Sequence, residues 1–117
     1  MTEIFVFGSN TAGRHGKGAA LYAKQNHDAQ YGIGEGLTGN AYALPTKDDN
    51  LKMLPINSIA ENYAKFKKTA EQAPEWRFLL TPFGTGLAGY DKAQIWKIIK
   101  TVGVPKNVVL TSSWVTD

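Results

Sequence analysis

Glycine is concentrated at two places in this 117-residue chain, and at both it separates an apolar strand-like run from a helix-like one. Eight of the twelve glycines precede residue 40, and Gly84, Gly86 and Gly89 form a second group. In the first unit Ile4-Phe5-Val6-Phe7 is a short run of β-formers, hence a buried strand. Gly8 to Gly16 breaks it, and Gly18 to Asn26 follows as a helix with Ala19, Ala20 and Ala23 on a close-packing face. In the second unit Trp76 to Thr81 is the strand and Pro82 to Gly89 the break. The helix after it opens with Asp91 and Gln94 at capping-box spacing, carries Ile95, Ile98, Ile99 and Val102 on one stripe, and stops at Gly103. Between the units lie a strand at Ala41 to Leu44 and a helix from Ser58. There Ser58 and Glu61 read as another capping box, and Ile59, Tyr63, Phe66 and Ala70 share a face. Asn107 to Leu110 is a final strand. The order predicts one α/β domain over residues 1–117, with a mainly parallel sheet and helices on both faces.

That order has a consequence for function. Both glycine-rich loops leave the carboxyl end of a strand and enter a helix, and in a parallel sheet such ends share one edge, where open α/β folds bind ligands. Gly8 to Gly18 and Pro82 to Gly89 are therefore expected to face a common crevice. Glycine lets backbone N–H groups approach an anion, and a helix N-terminus adds partial positive charge, so the crevice suits a phosphate. Taken singly, each loop is as well explained by a tight turn.

Composition narrows the partners. There is no cysteine, which excludes a disulfide scaffold, a thiolate metal site and a Cys nucleophile. With two well-separated histidines, His15 and His27, a zinc site has almost no ligands to use. No metal or cofactor is expected. The first residues lack the features of a signal peptide and no run approaches a membrane span, so the expected location is the cytoplasm. The net charge of +3 suits a phosphate ligand or a polyanion. Lys65, Lys67 and Lys68 read as a solvated helix face, since no aromatics are interleaved with them as base-stacking platforms.

Two familiar phosphate motifs fail. In a Walker A reading Gly16-Lys17 would be its G-K, but Thr11 stands at the leading glycine and Gly18 stands where Ser or Thr would take Mg²⁺. G-x-G-x-x-G occurs at Gly34 to Gly39 and at Gly84 to Gly89. The first precedes a strand instead of opening a helix. The second lacks the acidic residue about 20 positions on, where Asn107 to Thr111 is found.

The chain resembles the macrodomain family, the ADP-ribose-binding α/β module, and most of all the compact macrodomain-like proteins of phages and bacteria. The resemblance rests on Phe7-Gly8-Ser9-Asn10, Arg14 to Ala20, Gly39 to Lys47 and Thr81 to Tyr90, in macrodomain order and spanning residues 4 to 110. It implies a three-layer α/β/α fold. It also implies ADP-ribose or a related nucleotide as ligand, free or attached to a macromolecule. Gly8, Ser9 and Asn10 then match the segment whose asparagine contacts the distal ribose. Gly16, Lys17 and Gly18 match the loop beside that ribose and the diphosphate. Gly84, Thr85, Gly86, Leu87, Ala88 and Gly89 match the diphosphate cradle, with Tyr90 near the ribose.

Some macrodomains hydrolyse ADP-ribose linkages and others only bind. One hydrolase group uses a strand-end lysine, which Lys47 resembles, and a loop aspartate. Ala88 stands at the aspartate's place, and Asp91, three residues on, doubles as a helix cap. A lysine so placed attacks the anomeric carbon or stabilises developing negative charge. His15 reads as a general base or phosphate partner in the crevice, or equally as an exposed loop residue. Glu35 orients a water or is a solvated loop tip, and Trp96 and Trp114 pack or stack on adenine. Three functions fit the sequence: a nucleotide binder, an ADP-ribosyl hydrolase, and a nucleic-acid or protein interaction module.

Overall fold

The computed structural model describes residues 2–86 and 89–115. Five strands form one sheet: β1 (Glu3–Asn10), β2 (Gly36–Thr38), β3 (Ala41–Lys47), β4 (Arg77–Leu80) and β5 (Val108–Leu110). Their order across the sheet is β2-β3-β1-β4-β5, so β1 is central. Every pairing is parallel except that of β2 with β3. Among the described residues three α-helices complete the α/β architecture: α1 (Gly18–Asn26), α2 (Ile56–Glu71) and α3 (Lys92–Val102).

The alternation along β1 divides the core. Ile4 and Val6 join the larger cluster with Tyr42, Leu44 and Phe78, against Ile59, Tyr63 and Phe66 of α2 and Ile95 and Ile99 of α3. Phe5 and Phe7, whose side chains point the other way, join the smaller cluster with Ala20 and Ala23 of α1 and Ala41 and Ala43 of β3. The alanines of α1 let it lie close on the sheet. Tyr63 stacks on Phe83 at 5.6 Å and donates from its hydroxyl to the Gly103 carbonyl at 2.9 Å. Burial pushes that phenol up to about 12, so it remains a neutral donor.

Three sequence expectations change. The helix expected from Ser58 begins at Ile56 with Pro55 at its N-cap, so the Ser58–Glu61 capping box does not form. The fixed φ of proline suits that entry, and Ser58 falls inside the first turn. The capping box of Asp91 and Gln94 does form, the Asp91 N–H donating to the Gln94 side chain at 3.0 Å. Second, β1 does not break at Gly8. It runs on to Asn10, so Gly8, Ser9 and Asn10 are strand residues paired beside Leu44, Pro45 and Lys47 of β3, which itself extends past Leu44. Gly8 permits a close approach there: a Cβ would lie 3.3 Å from that of Phe83, a tight contact. Third, the glycine-rich stretch 32–39 ends in β2, an antiparallel edge strand. Gly39, at φ 56°, opens its two-residue turn into β3, where a positive φ favours glycine.

Among the described residues no helix is long and apolar enough to cross a membrane. Lys65 and Lys67 of α2 pair with Glu35 and Glu71 at 3.7 and 3.9 Å on its solvated face.

Candidate functional site

Since β1 and β4 are adjacent and parallel, the two glycine-rich loops leave neighbouring strands at the same edge. The second loop also runs close beside the end of β1, for a Cβ added at Gly8 would lie within contact range of both Phe83 and Gly84. The segment after β3 joins them. The Thr11 hydroxyl donates to the Asp49 carboxylate, the Thr11 N–H donates to the Lys47 carbonyl at 3.0 Å, and the Tyr90 hydroxyl donates to the Leu54 carbonyl at 2.8 Å. Asp48 and Asp49, which the sequence analysis did not single out, build this third wall. The Asp48 carboxylate accepts the N–H groups of Asn50 and Lys52 at 2.8 and 3.0 Å, the Asx-turn pattern that a D-D-N run signals.

At the end of β1 the ladder slips. Ser9 lies opposite Pro45 but Asn10 lies opposite Lys47, so Thr46 is passed over. Pro45 has no N–H with which to continue the pairing, and Thr46 instead donates its hydroxyl to the Ser9 carbonyl at 3.2 Å. This bulge sets Asn10 and Lys47 side by side at the sheet edge. Bulges of this kind re-aim side chains beside functional sites.

The site residues expected from sequence divide into two groups. Ser9 and Asn10 are buried, and both hold loops in place. The Ser9 hydroxyl donates to the Gly34 carbonyl at 2.6 Å. Asn10 clamps the Arg14 backbone, accepting its N–H and donating to its carbonyl, both at 2.9 Å. Gly84 is buried against Ile95, and Gly89 and Tyr90 close the second loop by donating to the carbonyls of Gly86 and Gly84 at 2.8 and 2.7 Å. The other group is open. Gly16, Lys17, Gly18 and Gly86 are exposed, with clear space where a side chain on any of the three glycines would go. α1 starts without a side-chain cap, and among the described residues the N–H groups of Gly16, Lys17, Thr85 and Gly86 meet no acceptor. Leu87 and Ala88 lie outside the described residues.

Of the three candidate catalytic side chains, Lys47 is partly buried and forms no ion pair among the described residues. Asp91 caps α3, and no hydrogen bond or ion pair joins it to Lys47. His15 does not stand open in the crevice. It is 1% exposed, edge-on to Phe7 at 5.4 Å and to Tyr31 at 6.0 Å. Its Nε2 donates to the Ile33 carbonyl at 3.2 Å in the matching tautomer, leaving Nδ1 buried without a partner. Burial, with Lys24 adding in the same sense, holds the imidazole below its usual range despite that hydrogen bond. The unfolded chain therefore takes up this proton first as pH falls, and the fold loses stability below about pH 6.5. Urea denaturation at pH 7.5 and 5.5 is expected to show that loss, and His15→Phe is expected to reduce it. An unchanged difference between the two pH values in the variant would refute this account.

Among the described residues no group of three or more His, Asp and Glu side chains could hold a metal ion. No family model, curated protein or solved structure matches this chain.

Proposed function

We propose that this protein binds a phosphate-bearing nucleotide of the ADP-ribose class at the carboxyl edge of its sheet, in the manner of a macrodomain. In this reading α1 on one side and α2 with α3 on the other are the outer layers of a three-layer α/β/α fold. The observation that carries it is the set of unpartnered backbone N–H groups on two loops that leave adjacent strands. A diphosphate is a doubly anionic acceptor that satisfies donors from both loops at once, and the uncapped start of α1 adds its partial positive charge. Ser9, Asn10, Gly84 and Tyr90 then serve by fixing the loops, and Gly16 to Gly18, Thr85 and Gly86 by contact.

Calorimetric titration with ADP-ribose, AMP and NAD tests this. The expected result is a Kd for ADP-ribose tighter than ~10⁻⁵ M, or ~7 kcal/mol, with AMP much weaker. No heat with any of the three would overturn it.

The bulge that places Lys47 beside Asn10 favours a second reading, in which the bound ADP-ribosyl group is released from a modified macromolecule. Lys47 is then the residue at the anomeric centre. Release of ADP-ribose that Lys47→Ala abolishes supports turnover; tight binding with no release on modified protein or nucleic acid leaves a binder alone.

A further inference from the structure

The last part of the chain carries a feature that the crevice does not use. Between Lys92 and Val115 there is no Asp or Glu, while Lys92, Lys97, Lys100 and Lys106 are all cationic. α3 buries Ile95, Ile98 and Ile99 and turns its other side outward. On that side Trp96, 37% exposed, sits one turn before Lys100, and Ala93 sits one turn before Lys97. An exposed aromatic thus lies among lysines on one helix face, the interleaving that Lys65 to Lys68 lack.

The segment after β5 folds back beside this face. The Trp114 indole donates to the Leu80 carbonyl at 2.8 Å, and its ring lies 5.7 Å from that of Trp96 at 51°. The Lys92 ammonium holds the carbonyls of Ser113 and Trp114 at 3.5 and 3.4 Å. A hollow of about 320 Å³ remains, lined by Lys92, Ala93, Trp96, Trp114 and Val115. That volume is at the lower end of the range for small-molecule pockets.

We infer that this face binds single-stranded nucleic acid, one base entering the hollow against Trp96 and Trp114 and the adjoining phosphates lying on Lys97 and Lys100. A polymer that alternates flat rings with anions uses both halves of the surface. An acidic peptide would engage the lysines and leave the tryptophans idle, and a duplex has its base faces already stacked. The inference goes beyond nucleotide binding in the crevice and does not depend on it, since none of these residues belongs to the glycine loops.

The test is fluorescence anisotropy with labelled oligothymidylate and oligouridylate, with tryptophan emission read in parallel and a duplex of equal length as comparator. Both strands are expected to bind at low salt and quench tryptophan. Lys97→Glu with Lys100→Glu is expected to weaken binding at least about tenfold and to flatten the salt slope by about 1.4. Trp96→Ala is expected to cost about tenfold with the slope unchanged. Both variants change exposed positions, and their melting curves verify folding. The proposal fails if neither strand binds at low salt, or if duplex binds equally without quenching. It fails also if both variants keep full affinity, or if ADP-ribose displaces the strand.

Discussion

Gly86→Glu is expected to abolish ADP-ribose binding, by at least about 100-fold or ~2.7 kcal/mol, while changing stability by no more than about 0.5 kcal/mol. The two halves of this expectation have separate causes. Gly86 is exposed with nothing near where a side chain would emerge, so the fold has no reason to object. Its N–H, however, is one of the open donors on the second loop. A carboxylate added there faces the diphosphate with like charge, a juxtaposition that costs several kcal/mol in a desolvated contact. Calorimetry paired with urea denaturation reads both halves. Full affinity in the variant would remove the diphosphate from this loop, and a large loss of stability would show that Gly86 is needed by the fold.

Gly13→Ala is expected to do the reverse, destabilising the protein by about 3 kcal/mol or more through overpacking and left-handed strain. Gly13 has φ 71°, and a Cβ there would overlap the Gly32 carbonyl carbon and lie 2.6 Å from its oxygen. The contact is backbone on backbone, so no rotamer change relieves it. It is also where the loop after β1 meets the stretch leading to β2: the Gly32 N–H donates to the Gly13 carbonyl at 2.8 Å. Gly16→Ala, in open space three residues on, is the matched control, with an expected cost within about 0.5 kcal/mol. Equal urea midpoints for the two variants would show that Gly13 is not the structural glycine described here.

These two variants show why the glycines could be found from sequence but not sorted. Their clustering between an apolar run and a helix was visible, and with it the sheet, the three helices and the shared edge. Whether a glycine serves the fold or remains open depends on what lies across from it. Gly13 faces Gly32 and Gly16 faces nothing, and no local pattern distinguishes them. The same holds for Ser9 and Asn10, which read as loop residues because Gly8 interrupts the hydrophobic run. Pairing with β3 carries the strand through that interruption. β2 was hidden because three residues beginning with glycine carry too little propensity, and its partner β3 supplies the order. His15 misled for a similar reason. Its glycine neighbours suggested an open loop, whereas Phe7 and Tyr31 bury it. The Asp91–Gln94 capping box formed as its spacing signalled, whereas the same spacing at Ser58 and Glu61 was overridden because α2 starts two residues earlier, at Ile56.

The central place of β1 also bears on synthesis. The Thr81 hydroxyl donates to the Val6 carbonyl across 75 residues, and Ile4 waits for Phe78 over a similar distance. At translation rates of ~5–20 residues per second, those residues take roughly 4–15 s to appear. Throughout that interval Ile4-Phe5-Val6-Phe7 has no β4 to pair with, so one edge of the central strand stays open. Emerging nascent chains on one message would then offer one another the same unpaired edge. The strand that ends at the middle of the sheet is the one a ribosome-associated chaperone has most reason to hold.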